Sequence, residues 1–303
     1  MKTDRIDRAK AETQATKAMG VITRSEIIKS VGTNRNYRDC LTAFAQFIKD
    51  NRLGDLRHST QDIANSYLSA RAEHLSQSSL NMHRQAIQAY FYAKGEMVIG
   101  EKLEIVKSEQ KTTLEHRAYT KDQVDRVANA QNERNSFSTK LAYACGLRAH
   151  ELLTIRKASE QPADIRRYED NREKKLETKW VGRSGEIYTV VGKGGLIREV
   201  CVPKTLATEL EKLRLNEARC ITDREVHYSS YYDIAGGKNW SNSFSAASKR
   251  SLGWSTGAHG LRHSYAQERM KELQTVCNFN QALETVSQEM GHFREDITTV
   301  YLR

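Results

Sequence analysis

The chain has 303 residues, enough for two domains, and a formal net charge of +10 from 48 Lys and Arg against 38 Asp and Glu. That balance favours a polyanionic partner, because Lys and Arg that neutralise phosphates release condensed counterions. A hydrophobic fraction of 38% supports packed cores, yet no stretch reaches the ~20 apolar residues that a membrane span needs.

The remaining exclusions are local. Five cysteines (Cys40, Cys145, Cys201, Cys220 and Cys277) are scattered, odd in number and without a CxxC pair, which argues against a disulfide framework or a zinc site. The charged N-terminus lacks the apolar core of a secretory signal, so a cytoplasmic protein with no membrane attachment is expected.

In chain order, residues 1–21 alternate Lys, Arg, Asp and Glu with small residues and read as a charged extension, a solvated helix or frayed end. Residues 22–100 read as a small all-helical domain. One helix carries the stripe Tyr37, Leu41, Phe44 and Ile48, and a second starts at the Thr60 cap with Ile63, Tyr67 and Leu68 inward. A third buries Leu80, Ile87, Tyr90 and Phe91, keeps His83 and Arg84 on another arc, and closes at Gly95. Residues 101–117 are charged, weakly periodic and expected to be a linker.

A second domain, 118–303, opens with a capping box, Thr120 with Gln123, and Val124 and Val127 inward. Helix is expected over 137–146 and again over 148–157, then a polar surface excursion over 159–179. Between Trp180 and Val202 the pattern becomes that of a β-hairpin: Ile187 to Val191, the turn Gly192 to Gly195 with Lys193 at its tip, then Ile197, Val200 and Val202. After Pro203 the chain is expected to be helical to its end. The fold class is therefore mainly α with a small β-hairpin or sheet (α+β).

Four local patterns in the second domain carry chemistry: Arg148 with Glu151 three residues on, the hairpin Lys193, His259-Gly260-Leu261-Arg262, and Gly291-His292 followed by Tyr301 nine residues later. Alone, each is ordinary: a surface ion pair, a solvated turn lysine, a packed histidine, a core tyrosine. In this order and with this terminal spacing they resemble the catalytic signature of the tyrosine recombinase (phage integrase) family. The likeness covers the whole second domain, and the helical domain is similar to the family's core-binding domain.

The resemblance implies a site-specific recombinase or integrase that cleaves and rejoins duplex DNA through a 3′-phosphotyrosine, with catalytic residues Arg148, Lys193, His259, Arg262, His292 and Tyr301. The residue types suit that reaction. Guanidiniums of Arg148 and Arg262 present paired donors to phosphate oxygens. A phenol with reference pKa of about 10 needs help to lose its proton, for which His259 is the candidate. The leaving 5′-oxygen needs an acid, for which Lys193 on its hairpin is the candidate, its pKa lowered by the two guanidiniums. His292 would donate to a non-bridging oxygen. Glu151 is expected to orient a neighbouring basic side chain, and His263 to pack.

No metal or other cofactor is required. The implied partners are double-stranded DNA, three further copies of the chain in a homo-tetramer, and accessory DNA-bending proteins; Arg71 and Arg84 are candidates for DNA contact from the helical domain. The stretch from Arg148 to Lys193 is longer than the family's usual, so Lys204, Lys179 and Lys174 are fallback acids. Tyr231, Tyr232 and Tyr265 are rival nucleophiles. The sequence ends two residues after Tyr301, where many relatives continue into a helix that packs on a neighbouring subunit. The alternatives are a type IB topoisomerase-like relaxase, or a non-catalytic DNA-binding protein on the same scaffold.

Overall fold

The computed structural model describes residues 2–28, 31–111, 116–164, 177–292 and 298–302. They form two compact units, Met1–Thr113 and Leu114–Arg303.

The first unit is helical: α1 (Lys2–Arg24), α2 (Val31–Asp50), α3 (Gln61–Arg71) and α4 (Gln77–Lys94). Leu41, Phe44 and Ile48 of α2, Tyr67 and Leu68 of α3, and Ile87, Tyr90 and Phe91 of α4 are buried together, and Leu80 of α4 is buried as well. Thr60 caps α3 through the Ile63 amide, and Gly95 ends α4 in the left-handed conformation (φ 76°). His83 does not lie apart from this core: its Nδ1 is 2.8 Å from the Tyr67 hydroxyl.

Two expectations are corrected here. The segment 1–21 is not a solvated extension, because α1 buries Ala11, Ala15, Ala18, Met19 and Ile22 in the core of this unit. Its inner face is a seam of alanines, which lets helices approach closely while giving little apolar contrast. Ile22 is fully buried, so Ile22→Ala is expected to destabilise this unit by about 2–5 kcal/mol in urea unfolding of the intact chain, where a frayed end would give no change. The 101–117 stretch is not a free linker either. Leu103 is buried, Ser108 donates to the Leu75 carbonyl, and the Glu109 amide donates to the Ala72 carbonyl. Residues 112–115 lie outside the described residues.

In the second unit α5 (Lys121–Asn129) starts at the expected capping box, both halves of which form. It is followed by α6 (Glu133–Cys145), β1 (Arg156–Lys157), β2 (Gly185–Val191), β3 (Ile197–Pro203) and α7 (Lys204–Lys212). Next come β4 (Arg214–Asp223), β5 (Val226–Tyr232), α8 (Gly237–Leu252), α9 (Gly260–Leu273) and α10 (Phe279–Glu289). Strands β1, β2 and β3 form an antiparallel sheet in that order, with β2 and β3 in register from Gly185 opposite Pro203 to Val191 opposite Ile197.

The helix expected over 148–157 is absent. That segment is a turn with one 3-10 helix, Glu151–Leu153, and then β1, because the Glu151 carboxylate captures the Arg148 amide at 2.8 Å. The expectation of unbroken helix after Pro203 also fails at β4 and β5. These strands pair through the turn residues Arg224 and Glu225, both left-handed (φ 52° and 66°), the geometry that suits a tight hairpin. The polar excursion is tied down at both described ends. Asp164 exchanges hydrogen bonds with Ile197, and the Trp180 amide donates to Glu289; residues 165–176, Lys174 among them, lie outside the described residues.

Candidate active site

Four elements of the second unit bring charge to one place. The turn after α6 starts at Gly146 (φ 59°), where a Cβ would stand 2.8 Å from the Tyr265 ring; only glycine lets the chain turn so closely. Arg148 follows, its Nη1 donating to Glu151 Oε1 at 2.7 Å, with 20% of its side chain still exposed. Glu151 is fully buried.

Arg198 reaches the same carboxylate from β3, donating from Nη2 to Glu151 Oε2 at 2.7 Å and from Nη1 to the Glu289 carbonyl at 2.6 Å. Arg262, in the first turn of α9, is also fully buried. It donates to the Gly146 carbonyl, to the Met290 carbonyl at 3.1 Å and to His292 Nε2 at 3.0 Å, and its Nη1 lies 3.7 Å from Glu151 Oε2. Burial alone would raise the Glu151 carboxyl, but Arg198, Arg262 and Arg148 together hold it well below the usual carboxylate range. Burial and the Arg148 charge bring the Arg262 guanidinium down to about 10.

A second buried carboxylate supports the floor. Glu289, at the end of α10, accepts from Arg269 Nε at 3.0 Å and from the Tyr265 hydroxyl at 2.8 Å, which fixes α10 against α9 and presents Gly291 and His292. Gly291 (φ 70°) has its own close approach, since a Cβ there would lie 2.6 Å from Arg198 Cδ.

Tyr301 sits in a one-turn 3-10 helix, Val300–Leu302, and is almost wholly buried. Its hydroxyl is 3.1 Å from His259 Nε2. Its ring packs on His263 (4.7 Å between centroids) and stacks on His292 (4.9 Å), and the Arg262 guanidinium carbon is 5.6 Å from its centre. The nucleophile candidate thus lies directly over one of the candidate cations. His292 accepts from Arg262 at Nε2, so its proton sits on Nδ1, 3.2 Å from Thr298 Oγ1. In this arrangement His292 offers no donor towards a phosphate, contrary to expectation.

His259 remains exposed, yet burial of part of its surroundings, Arg262, His263 and Arg148 lower its imidazole to about 4. Burial, then Arg117, lowers buried His263 to about 4, and burial with Arg262, Arg148 and Arg198 lowers His292 to about 3. Against an ordinary value of about 6.5, the unfolded chain therefore binds protons between pH 6.5 and 4 that the folded unit does not. Stability should fall as pH drops through that window, read as a lower urea midpoint at pH 5 than at pH 7. A midpoint unchanged over that range would contradict the geometry.

Lys193 stands exposed at the tip of the β2–β3 hairpin and contacts no member of the cluster among the described residues. Its neighbour Gly192 adjoins the cluster, a Cβ there lying 3.4 Å from Glu151 Oε1 and 4.0 Å from Arg148 Nη1. Of the described fallback lysines, Lys179 is paired with Glu199 at 2.7 Å, and Lys204 is exposed at the start of α7. The rival tyrosines are otherwise engaged, Tyr265 within the floor of the site itself. Tyr232 and Tyr265 donate to Glu211 and Glu289 at 2.8 Å each, and Tyr231 lies under the Arg156 guanidinium.

Sequence reasoning missed Arg198. Its signal was phase: Arg198 alternates with Val200 and Val202, so a charged residue stands where the strand faces the core. Among the described residues no group of three or more His, Cys, Asp or Glu is placed to hold a metal ion, and no helix is long and apolar enough to cross a membrane.

Residues 25–95 match the family described as phage integrase, N-terminal SAM-like domain. The whole chain is similar in structure to a lambda integrase tetramer bound to a Holliday junction (TM-score 0.59, 16% identity, covering 100% of this chain and 81% of that one). It is likewise similar to the Tn1549 transposon integrase in complex with transposon right end DNA (0.57, 13%, 94% of each chain). A third likeness is to the XerH site-specific recombinase in a post-cleavage complex with difH substrate (0.56, 15%, 95% and 81%). No curated protein matches by sequence. The chain shares the fold of these integrases and recombinases, and residues 25–95 of its helical unit match the phage integrase N-terminal SAM-like domain.

Proposed function

We propose that this chain is a site-specific DNA recombinase that cleaves and rejoins duplex DNA through a 3′-phosphotyrosine. The observation that carries the reading is the Tyr301 hydroxyl 3.1 Å from His259 Nε2, beside the Arg148–Glu151–Arg262 cluster.

In the reaction Tyr301 Oη attacks the scissile phosphorus, its proton passes to His259, and the bond from phosphorus to the 5′-oxygen breaks. That oxygen takes a proton from Lys193, whose hairpin moves in to deliver it. Arg148 and Arg262 stabilise the charge gathering on the non-bridging oxygens. A phosphodiester in this place also raises the imidazoles back towards neutrality, because its negative charge opposes the guanidiniums that depress them. His292 turns to donate to the phosphate once Arg262 has engaged it. The covalent bond retains the phosphoryl group, so religation to another strand needs no ATP. Four copies on DNA, with DNA-bending accessory proteins, would exchange strands between two sites.

The test begins with a duplex selected for binding from a randomised library. Incubated with a nicked version of that duplex, the wild-type chain should yield a covalent protein–DNA adduct that survives denaturing electrophoresis and forms in EDTA. Cleavage lost in EDTA and restored by magnesium would mean a metal nuclease. Relaxation of supercoiled DNA without exchange between two sites would mean a type IB topoisomerase, and binding without any adduct a non-catalytic DNA-binding protein.

A further inference from the structure

Arg198 is buried inside the cluster and takes no part in the proton and phosphoryl transfers proposed for the reaction. Its contacts are all internal: Glu151, the Glu289 carbonyl and, at 3.5 Å, the Gly146 carbonyl. It passes beneath Gly291, where any Cβ would strike its side chain. The side chain is thus threaded under the two segments that carry Arg148 and His292.

The charges are informative. Three guanidiniums (Arg148, Arg198, Arg262) surround one carboxylate, Glu151, while the next buried acid, Glu289, is matched by Arg269. In the resting site the surrounding imidazoles are neutral, so the guanidiniums and Glu151 alone set the charge beneath the phosphate until His259, at the exposed rim, takes the phenol's proton. The cluster therefore carries a surplus of two positive charges. A bound phosphodiester brings one negative charge. The five-coordinate phosphorus species that forms once the phenol has lost its proton brings two. Without Arg198, Glu151 would cancel one of the two guanidiniums that face the phosphate, and the site would fit the ground state instead.

We propose that Arg198 is a positioning residue that neutralises Glu151 from beneath, so that Arg148 and Arg262 present a doubly positive site matched to the transition state rather than to the bound substrate. The proposal rests on the recombinase reading and adds a charge-setting residue to it.

The experiment uses the selected duplex with either the natural scissile phosphate or a methylphosphonate, which is neutral because a methyl group replaces one non-bridging oxygen. Arg198→Met should form adduct about 100-fold more slowly than wild type on the natural phosphate, comparable to the loss of one preorganised donor. On the methylphosphonate, whose transition state has one negative charge fewer, Arg198→Met should be as fast as wild type. Equal losses on both substrates mean a purely structural residue and overturn the proposal. Arg198→Lys keeps the charge without the fork and should stay within about tenfold of wild type on the natural phosphate. A loss of about 100-fold overturns the proposal, and this variant decides alone if Arg198→Met does not fold. A wild-type chain that forms no adduct removes the recombinase reading and this proposal with it. If the wild-type chain does form adduct, the rates of the Arg198 variants alone decide whether the proposal stands.

Discussion

Tyr301→Phe is expected to bind the selected duplex with nearly wild-type affinity and to form no covalent adduct at all. The substitution removes one oxygen and little else, because the ring contacts to His263, His292 and Arg262 do not depend on the hydroxyl. The lost contact is the 3.1 Å approach to His259 Nε2, near the protein surface and of modest energetic weight. Folding and DNA affinity should therefore hold while the covalent yield falls to background. An adduct persisting at normal yield would take the nucleophile's role from Tyr301. The remaining tyrosines are poorly placed to inherit it, since the Tyr232 and Tyr265 hydroxyls are committed to Glu211 and Glu289.

The second large effect is on stability. Glu151→Ala leaves Arg148, Arg198 and Arg262 crowded together with no countercharge, and two of the three are buried. Removing one partner of a buried ion pair costs about 3–5 kcal/mol, because the remaining charge stays desolvated. We expect a loss of that size in the urea unfolding of the second unit, with little change in the first. Glu151→Gln should lose less, since the amide oxygen still accepts from one guanidinium. A wild-type midpoint for the alanine variant would mean that the three cations find other partners.

Much of the candidate site was legible because each member lies in a short pattern with its own local logic. Arg148 and Glu151 stand out as a pair three residues apart, although the helix expected to carry them is a turn, His259 and Arg262 share one helical turn, and Gly291-His292 precedes Tyr301 at a fixed spacing. Lys193 was legible as a hairpin tip, but a sequence cannot tell whether a tip points at its target, and here it stands clear of the cluster. Other features were hidden for physical reasons. The core face of α1 is built from alanine, whose burial leaves a faint periodic signal among many charges. Strand β4 is exposed along most of its length, so Arg214, Glu217 and Arg219 mask a strand as a polar stretch. Residues 101–111 dock through hydrogen bonds and two apolar side chains, Leu103 and Val106, too few to make a hydrophobic pattern.

The placement of Tyr301 over Arg262 has one more consequence. An oxygen able to open DNA is hazardous if every passing phosphate can reach it, and here the aromatic ring itself plugs the cationic hollow. Small solutes carry too little binding energy to pull that plug. On the proposed reading, a long duplex gripped along many phosphates would supply that energy, so the same side chain would be the stopper before DNA binds and the blade afterwards.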